Sequence, residues 1–205
     1  MPNALDGITD RVLAGNALTR DDARRVVAAL GGPLSEVLGV FARASRIREA
    51  FRPPSVDICS IASAKTGGCP EDCSYCAQSA RSSTGVRSAP LVSREELAGH
   101  ARRALAQGAR RFCIVTSGLS PNDEEFARIL DMVGEVRATG LLPCATLGAM
   151  TAERLAALRE AGLVRYHHNI ETSERFFPEI CSSHTYADKL RTIALVRAEG
   201  LSLCS

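Results

Sequence analysis

The chain has 205 residues, 45% of them hydrophobic, which is enough to bury a sizeable core in one domain or slightly more. Lys+Arg 25 against Asp+Glu 23, with six Phe, three Tyr and no Trp, leaves neither the charge footprint nor the stacking surface of a nucleic-acid binder. Met1-Pro2-Asn3-Ala4-Leu5-Asp6 lacks the basic and apolar regions of a signal peptide, and no apolar run reaches membrane-spanning length. A cytoplasmic location is therefore expected, where eight cysteines suit metal or redox chemistry better than disulfides.

Residues 1–52 read as a polar-faced helical segment. Thr19-Arg20-Asp21-Asp22 has the form of a helix start, with hydroxyl and carboxylate capping each other's amides, and Val26, Val27 and Leu30 then make one apolar face. Gly31-Gly32-Pro33 stops that helix. A second is expected from about Ser35 with Val37, Leu38 and Phe41 inward, and Arg43, Arg46, Arg48 and Arg52 as a solvated basic run.

Pro53-Pro54 marks the boundary to a second region, residues 53–205, where short apolar runs alternate with amphipathic helices. Val56-Asp57-Ile58-Cys59-Ser60-Ile61 is a strand candidate feeding into Cys69-Pro70-Glu71-Asp72-Cys73-Ser74-Tyr75-Cys76. That loop offers three thiols spaced C-x3-C-x2-C with no fourth close behind. Zinc modules usually bring two close pairs, and closed iron–sulfur clusters four thiolates. A cubane on Cys69, Cys73 and Cys76 leaves one iron open to a small molecule. The polar residues between the cysteines speak against plain core thiols.

Four helices then end in glycine with a strand following at once, at Gly108, Gly140, Gly162 and Gly200. The strands are Phe112–Val115, Leu141–Leu147, Val164–Asn169 and Leu201–Cys204; Ser93-x-x-Glu96 and Thr185-x-x-Asp188 are helix starts. Repetition of helix, glycine and strand predicts successive βαβ units around a parallel sheet. With no Gly-rich phosphate loop after the first strand, an α/β fold of the β/α (TIM-type) barrel kind is favoured over a doubly wound sheet. Counted from the preceding glycine, Cys144 and Cys204 fall four residues on and Cys113 five, at comparable heights. Alternate barrel residues point inward, so these three thiols can share one interior site, although a single buried cysteine in a parallel strand is unremarkable. At the end of the fourth strand His167, Asn169 and Glu171 share one face, and Tyr166 and His168 the other. Asn169 and Glu171 are placed to hydrogen-bond a bound ligand.

The cysteine loop with Tyr75 before its last thiol resembles the radical S-adenosylmethionine (SAM) superfamily. Gly68–Ser79, Arg111-Phe112-Cys113, Cys144–Gly148, His168–Thr172 and Val196–Ser205 resemble, more narrowly, the biotin synthase family, from about residue 50 onward. The resemblance implies a [4Fe–4S] cluster on Cys69, Cys73 and Cys76 whose open iron chelates SAM, with a 5′-deoxyadenosyl radical abstracting hydrogen from dethiobiotin and sulfur insertion closing the biotin ring. It further implies a [2Fe–2S] sulfur donor on Cys113, Cys144 and Cys204, and Tyr75, Asn169 and Glu171 along the SAM and substrate pocket. A reducing electron-transfer protein and a homodimer are the implied partners, with no nucleic acid and no membrane. No side chain is implied as an acid or base. His167 and Glu171 stand where the family more often has Asn and Asp. The family also continues for several β/α units past the fifth strand, where this chain reaches Ser205, so an incomplete barrel is expected. Its open parallel edge makes the 205-residue chain, by itself, an expected poorly soluble and inactive species.

Overall fold

The computed structural model describes residues 4–52 and 54–205; Met1–Asn3, and Pro53 of the expected boundary, lie outside the described residues. The chain divides into two compact units, Met1–Val56 and Asp57–Ser205.

The first unit is three helices, α1 (Ala4–Leu13), α2 (Arg20–Leu30) and α3 (Leu34–Phe51). Thr19 caps α2 through the expected reciprocal box: its hydroxyl accepts from the Asp22 amide at 3.1 Å, and the Asp22 carboxylate accepts from the Thr19 amide at 3.1 Å. Asp22 also pairs with Arg11 of α1, and that guanidinium first, then Thr19, lowers its carboxyl to about 2. Two expectations need correction. Val27, Leu30, Leu38 and Phe41 are exposed, because this unit's buried apolar side chains come from α1, Leu5 and Ile8. Arg43 leaves the solvated basic run, since its Nη2 donates to Asp6 at 2.6 Å.

The second unit is built on a five-stranded parallel sheet in the order β1 (Cys59–Lys65), β2 (Arg111–Thr116), β3 (Leu142–Thr146), β4 (Arg165–His167) and β5 (Ser202–Cys204). Sequential order without reversal is the winding of a β/α barrel, whereas a doubly wound sheet reverses at a switch point. Here the arc is open. Between the strands lie α4 (Arg94–Ala106), α5 (Asp123–Ala138), α6 (Ala152–Ala161), a one-turn α7 (Phe177–Ile180) and α8 (Tyr186–Ala198). The glycines at 108, 140, 162 and 200 all have positive φ, as their place between helix and strand requires.

Alternation divides the sheet into two faces. Ala62, Phe112, Ile114, Ala145 and Tyr166 pack under Leu97, Ala101, Ile129, Met132, Val136, Leu155 and Leu158 of the helices. Burying each large aliphatic side chain of this layer stabilises by about 1.5–3 kcal/mol, so the sheet-to-helix layer holds the unit together. The opposite face carries Cys59 and Ile61 of β1, Cys113 of β2, Cys144 of β3, His167 of β4 and Cys204 of β5. Strand β1 begins three residues later than Val56 and runs to Lys65. Ala62 and Ala64 are its buried residues, and their small side chains gave the sequence little apolar signal.

Candidate active site

The loop after β1 turns at Gly67 and Gly68, both in the left-handed region, and a Cβ on Gly67 would lie 2.9 Å from Ser88 Cα. The loop then closes on itself. The Cys69 amide donates to Gln78 O at 3.1 Å, Ala80 donates back to Cys69 O at 2.8 Å, and Cys76 donates to Cys73 O at 3.0 Å. Ser79 Oγ donates to Glu71 O at 2.6 Å. From the sheet, the buried Ser117 hydroxyl after β2 donates to Gly67 O at 2.7 Å. The loop is thus fixed to the C-terminal ends of the strands, where barrels carry their sites.

A cavity of about 280 Å³ lies there. Cys69, Cys73, Cys76, Tyr75, Asn169 and Glu171 all line it, together with His167 and His168. Strand β4 stops at His167, so the expected alternation does not continue. Glu171 turns at φ 67°, the one left-handed non-glycine residue among those described, and His168 also reaches the cavity. Asn169 Oδ1 lies 2.7 Å from His167 Nε2, and Cys73 and Glu171 stand within electrostatic reach of the Tyr75 phenol. Burial, then the neighbouring Cys73 and Glu171, push the Tyr75 phenol up and keep it a neutral donor. Burial likewise raises Cys73, to about 12, with Cys181 adding to it. A thiol held neutral in this way gives up its proton to a metal.

Lys189 and His184 also line the cavity and were not singled out in the sequence. Both come more than 100 residues after the loop, one on α8 and one just before it. Only the helix start at Thr185 marked their neighbourhood.

Deeper on the same sheet face, Cys113 and Cys144 are directly paired, and both are buried. Cys204 is paired with His167, whereas Cys144 is level with Arg165 and Ser202, so Cys204 stands two residues further along the sheet than the other two thiols. Counting from the glycines ignored the stagger of barrel strands. Burial raises Cys113 to about 12 and also raises Cys144. Cys59, on the same face of β1, falls within electrostatic reach of Cys144 and Cys204, a fourth thiol on this face that the spacing from the glycines does not mark.

Residues 64–205 match the model of the radical SAM superfamily. The chain belongs to that superfamily. Membership implies a [4Fe–4S] cluster and SAM, and the donor set fits: three thiols of one self-bonded loop face a cavity with room for a ligand beside them. Among curated relatives the chain is 38% identical over 206 residues to biotin synthase of Geobacter metallireducens, covering 100% of this chain and 62% of that protein. It is 42% identical over 205 residues to biotin synthase 2 of Corynebacterium diphtheriae, covering 99% and 60%. The chain thus spans about three fifths of the length of these relatives. Among solved structures, methylornithine synthase (PylB) superposes with a TM-score of 0.77 at 18% identity, covering 95% of this chain and 57% of that one, a likeness of fold. Among the described residues no helix is long and apolar enough to cross a membrane.

His168 gives this superfamily member a pH dependence. Burial first, then Lys189, His184 and His167, lower its pKa from 6.5 to about 4, and its Nε2 is buried with no hydrogen-bond partner. Between pH 6.5 and 4 the unfolded chain binds a proton that the folded chain refuses, so stability falls as pH falls through this window and levels below it. The expected loss is on the order of 2 kcal/mol. Urea unfolding at pH 7 and pH 4.5 should show it, and His168→Gln should remove that share of the slope; an unchanged slope refutes the assignment.

Proposed function

We propose that the chain is the cofactor-binding part of a biotin synthase, inserting sulfur into dethiobiotin to form biotin. The observation that carries this reading is the set of three thiols, buried Cys113 and Cys144 and half-buried Cys204, on the sheet face that leads up to the cysteine-loop cavity. The similarity to biotin synthases along the whole chain agrees with it. In this reading Cys69, Cys73 and Cys76 hold the [4Fe–4S] cluster, and Cys113, Cys144 and Cys204 hold a [2Fe–2S] cluster as sulfur donor. Bound there together with SAM, such a cluster would supply one-electron reducing chemistry toward the SAM sulfonium.

The chain's own residues position and exclude. Lys189, the one cation of fixed charge lining the cavity among the described residues, suits the carboxylate of SAM. The Glu171 carboxylate accepts from ribose hydroxyls, Asn169 offers donor and acceptor to the substrate, and the neutral Tyr75 phenol donates along the cofactor. Val115, Leu119 and Ala149 supply apolar wall that keeps water from the reacting atoms. A reducing electron-transfer protein delivers the electron, and a homodimer is the proposed assembly.

Lys189→Ala is expected to weaken SAM binding about tenfold, the loss of one charge-assisted bond, with Lys189→Arg recovering most of it. Equilibrium binding to the anaerobically reconstituted protein checks this. The reading as a whole is tested on a polypeptide of the relatives' full length carrying these residues. Deuterated dethiobiotin should transfer its label to 5′-deoxyadenosine and yield biotin, and Cys144→Ala should keep label transfer while losing biotin. Release of 5′-deoxyadenosine that ignores dethiobiotin overturns it.

A further inference from the structure

A second set of metal donors stands beside the cysteine loop. Cys181, which caps α7, is buried and lies 3.7 Å from Cys73, sulfur to sulfur. His184 Nε2 lies 3.8 Å and Nδ1 3.3 Å from Cys181 Sγ, and donor atoms of Cys73, Cys181 and His184 all fall within 4.8 Å of one another. Metal–sulfur bonds of about 2.3 Å and metal–nitrogen bonds of about 2.0–2.1 Å at tetrahedral angles separate two thiolates by about 3.8 Å and a thiolate from an imidazole nitrogen by about 3.5 Å. The Cys73–Cys181 and Cys181–His184 spacings match that geometry, and the third pair lies within 4.8 Å.

Two further features suit a ligand set. Glu71 Oε2 lies 2.6 Å from His184 Nδ1, and both side chains are nearly buried. A carboxylate on one ring nitrogen is the usual partner of a metal-bound histidine, since it fixes the proton there and leaves Nε2 free to coordinate. The segment carrying Cys181 and His184 is also tied to the cysteine loop. Asp72 accepts from the amides of Ser182 and Ser183 at 2.9 and 3.0 Å, and the Ser74 amide donates to Ile180 O at 2.9 Å.

We propose that Cys73, Cys181 and His184 form a mononuclear site for a tetrahedral divalent cation of the zinc class, with water as fourth ligand. Binding releases the protons of the two thiols and needs no oxidant or reductant. Because Cys73 belongs also to the three-thiol set of the loop, the cation and a cluster exclude each other, and the site is one of the chain before cluster assembly. The proposal rests on these three side chains, independently of the substrate reading.

Cobalt(II), a spectroscopic substitute for zinc, tests it on the reduced, metal-free chain under anaerobic conditions. One cobalt per chain should give thiolate charge-transfer absorption and the intense visible bands of a tetrahedral centre, both displaced by zinc. Cys181→Ser and His184→Gln should each weaken cobalt binding at least about tenfold, whereas the double variant Cys69→Ser, Cys76→Ser should keep the spectrum. Far-ultraviolet circular dichroism accompanies each variant, and if one of the first two unfolds, the other decides. Loss of the spectrum in the Cys69, Cys76 variant with retention in Cys181→Ser or His184→Gln overturns the proposal, as does a weak octahedral spectrum in the parent chain.

Discussion

Cys69→Ser or Cys76→Ser is expected to abolish the SAM-responsive iron–sulfur signal that anaerobic reconstitution gives the parent chain. The three thiols come from one short loop held by its own hydrogen bonds, so removal of one leaves two ligands for a cluster that already has one open iron. Cys73→Ser is the less clean change, because the Cys181 thiol lies only 3.7 Å from Cys73 and can take its place. The double variant Cys73→Ser, Cys181→Ser closes that route and should match the other two. Cys113→Ala, deeper on the sheet, should leave the response to SAM intact. Iron per chain, absorption, and the change in the reduced electron paramagnetic resonance spectrum on adding SAM measure all of this. A Cys69→Ser protein that keeps its response to SAM would refute the three-thiol assignment.

The parts of this site that could be read in the sequence were those whose signal is local. The C-x3-C-x2-C loop is polar and closely spaced, and helix, glycine and strand recur four times, so both the cysteine side of the cavity and the parallel winding were legible. Features set by distant pairing were not. The stagger that lifts Cys204 two residues above Cys144 exists only between strands. His184 and Lys189 reach the cavity through the tie between Asp72 and the 182–183 amides, a contact across about 110 residues that leaves no periodic trace. Residues Phe177–Ile180 make a single turn, too short for a 3.6-residue pattern to register. In the first unit, the apolar periodicity of α2 and α3 said nothing of what covers the face it marked, and Val27, Leu30, Leu38 and Phe41 on that face are exposed.

Gly148→Ala should be among the most destabilising single changes in the second unit. Gly148 has φ 82°, and a Cβ there would stand 2.0 Å from Leu119 O and 2.7 Å from Leu119 C. Leu119 O already accepts from the Ala149 amide at 2.7 Å, and Gly148 O accepts from the buried Tyr166 hydroxyl at 2.7 Å. The obstacle is therefore backbone, fixed on both sides, and no rotamer change relieves it. A left-handed alanine costs about 1–2 kcal/mol, and overpacking against fixed neighbours adds about 1–3. The sum, about 2–5 kcal/mol, is a large share of the 5–15 kcal/mol typical of a domain. Gly140 separates the two contributions, since its φ is 89° but a Cβ there meets nothing within 4 Å. Gly140→Ala should show the conformational cost alone, about 1–2 kcal/mol. Urea unfolding of both variants gives the difference, and equal losses would mean that the contact with Leu119 is relieved by backbone movement. Because Gly118, Leu119, Gly148 and Ala149 all line the cavity, such movement shifts the wall opposite the cysteine loop. A Gly148→Ala protein that stays folded should then lose affinity for SAM, whereas Gly140→Ala should not.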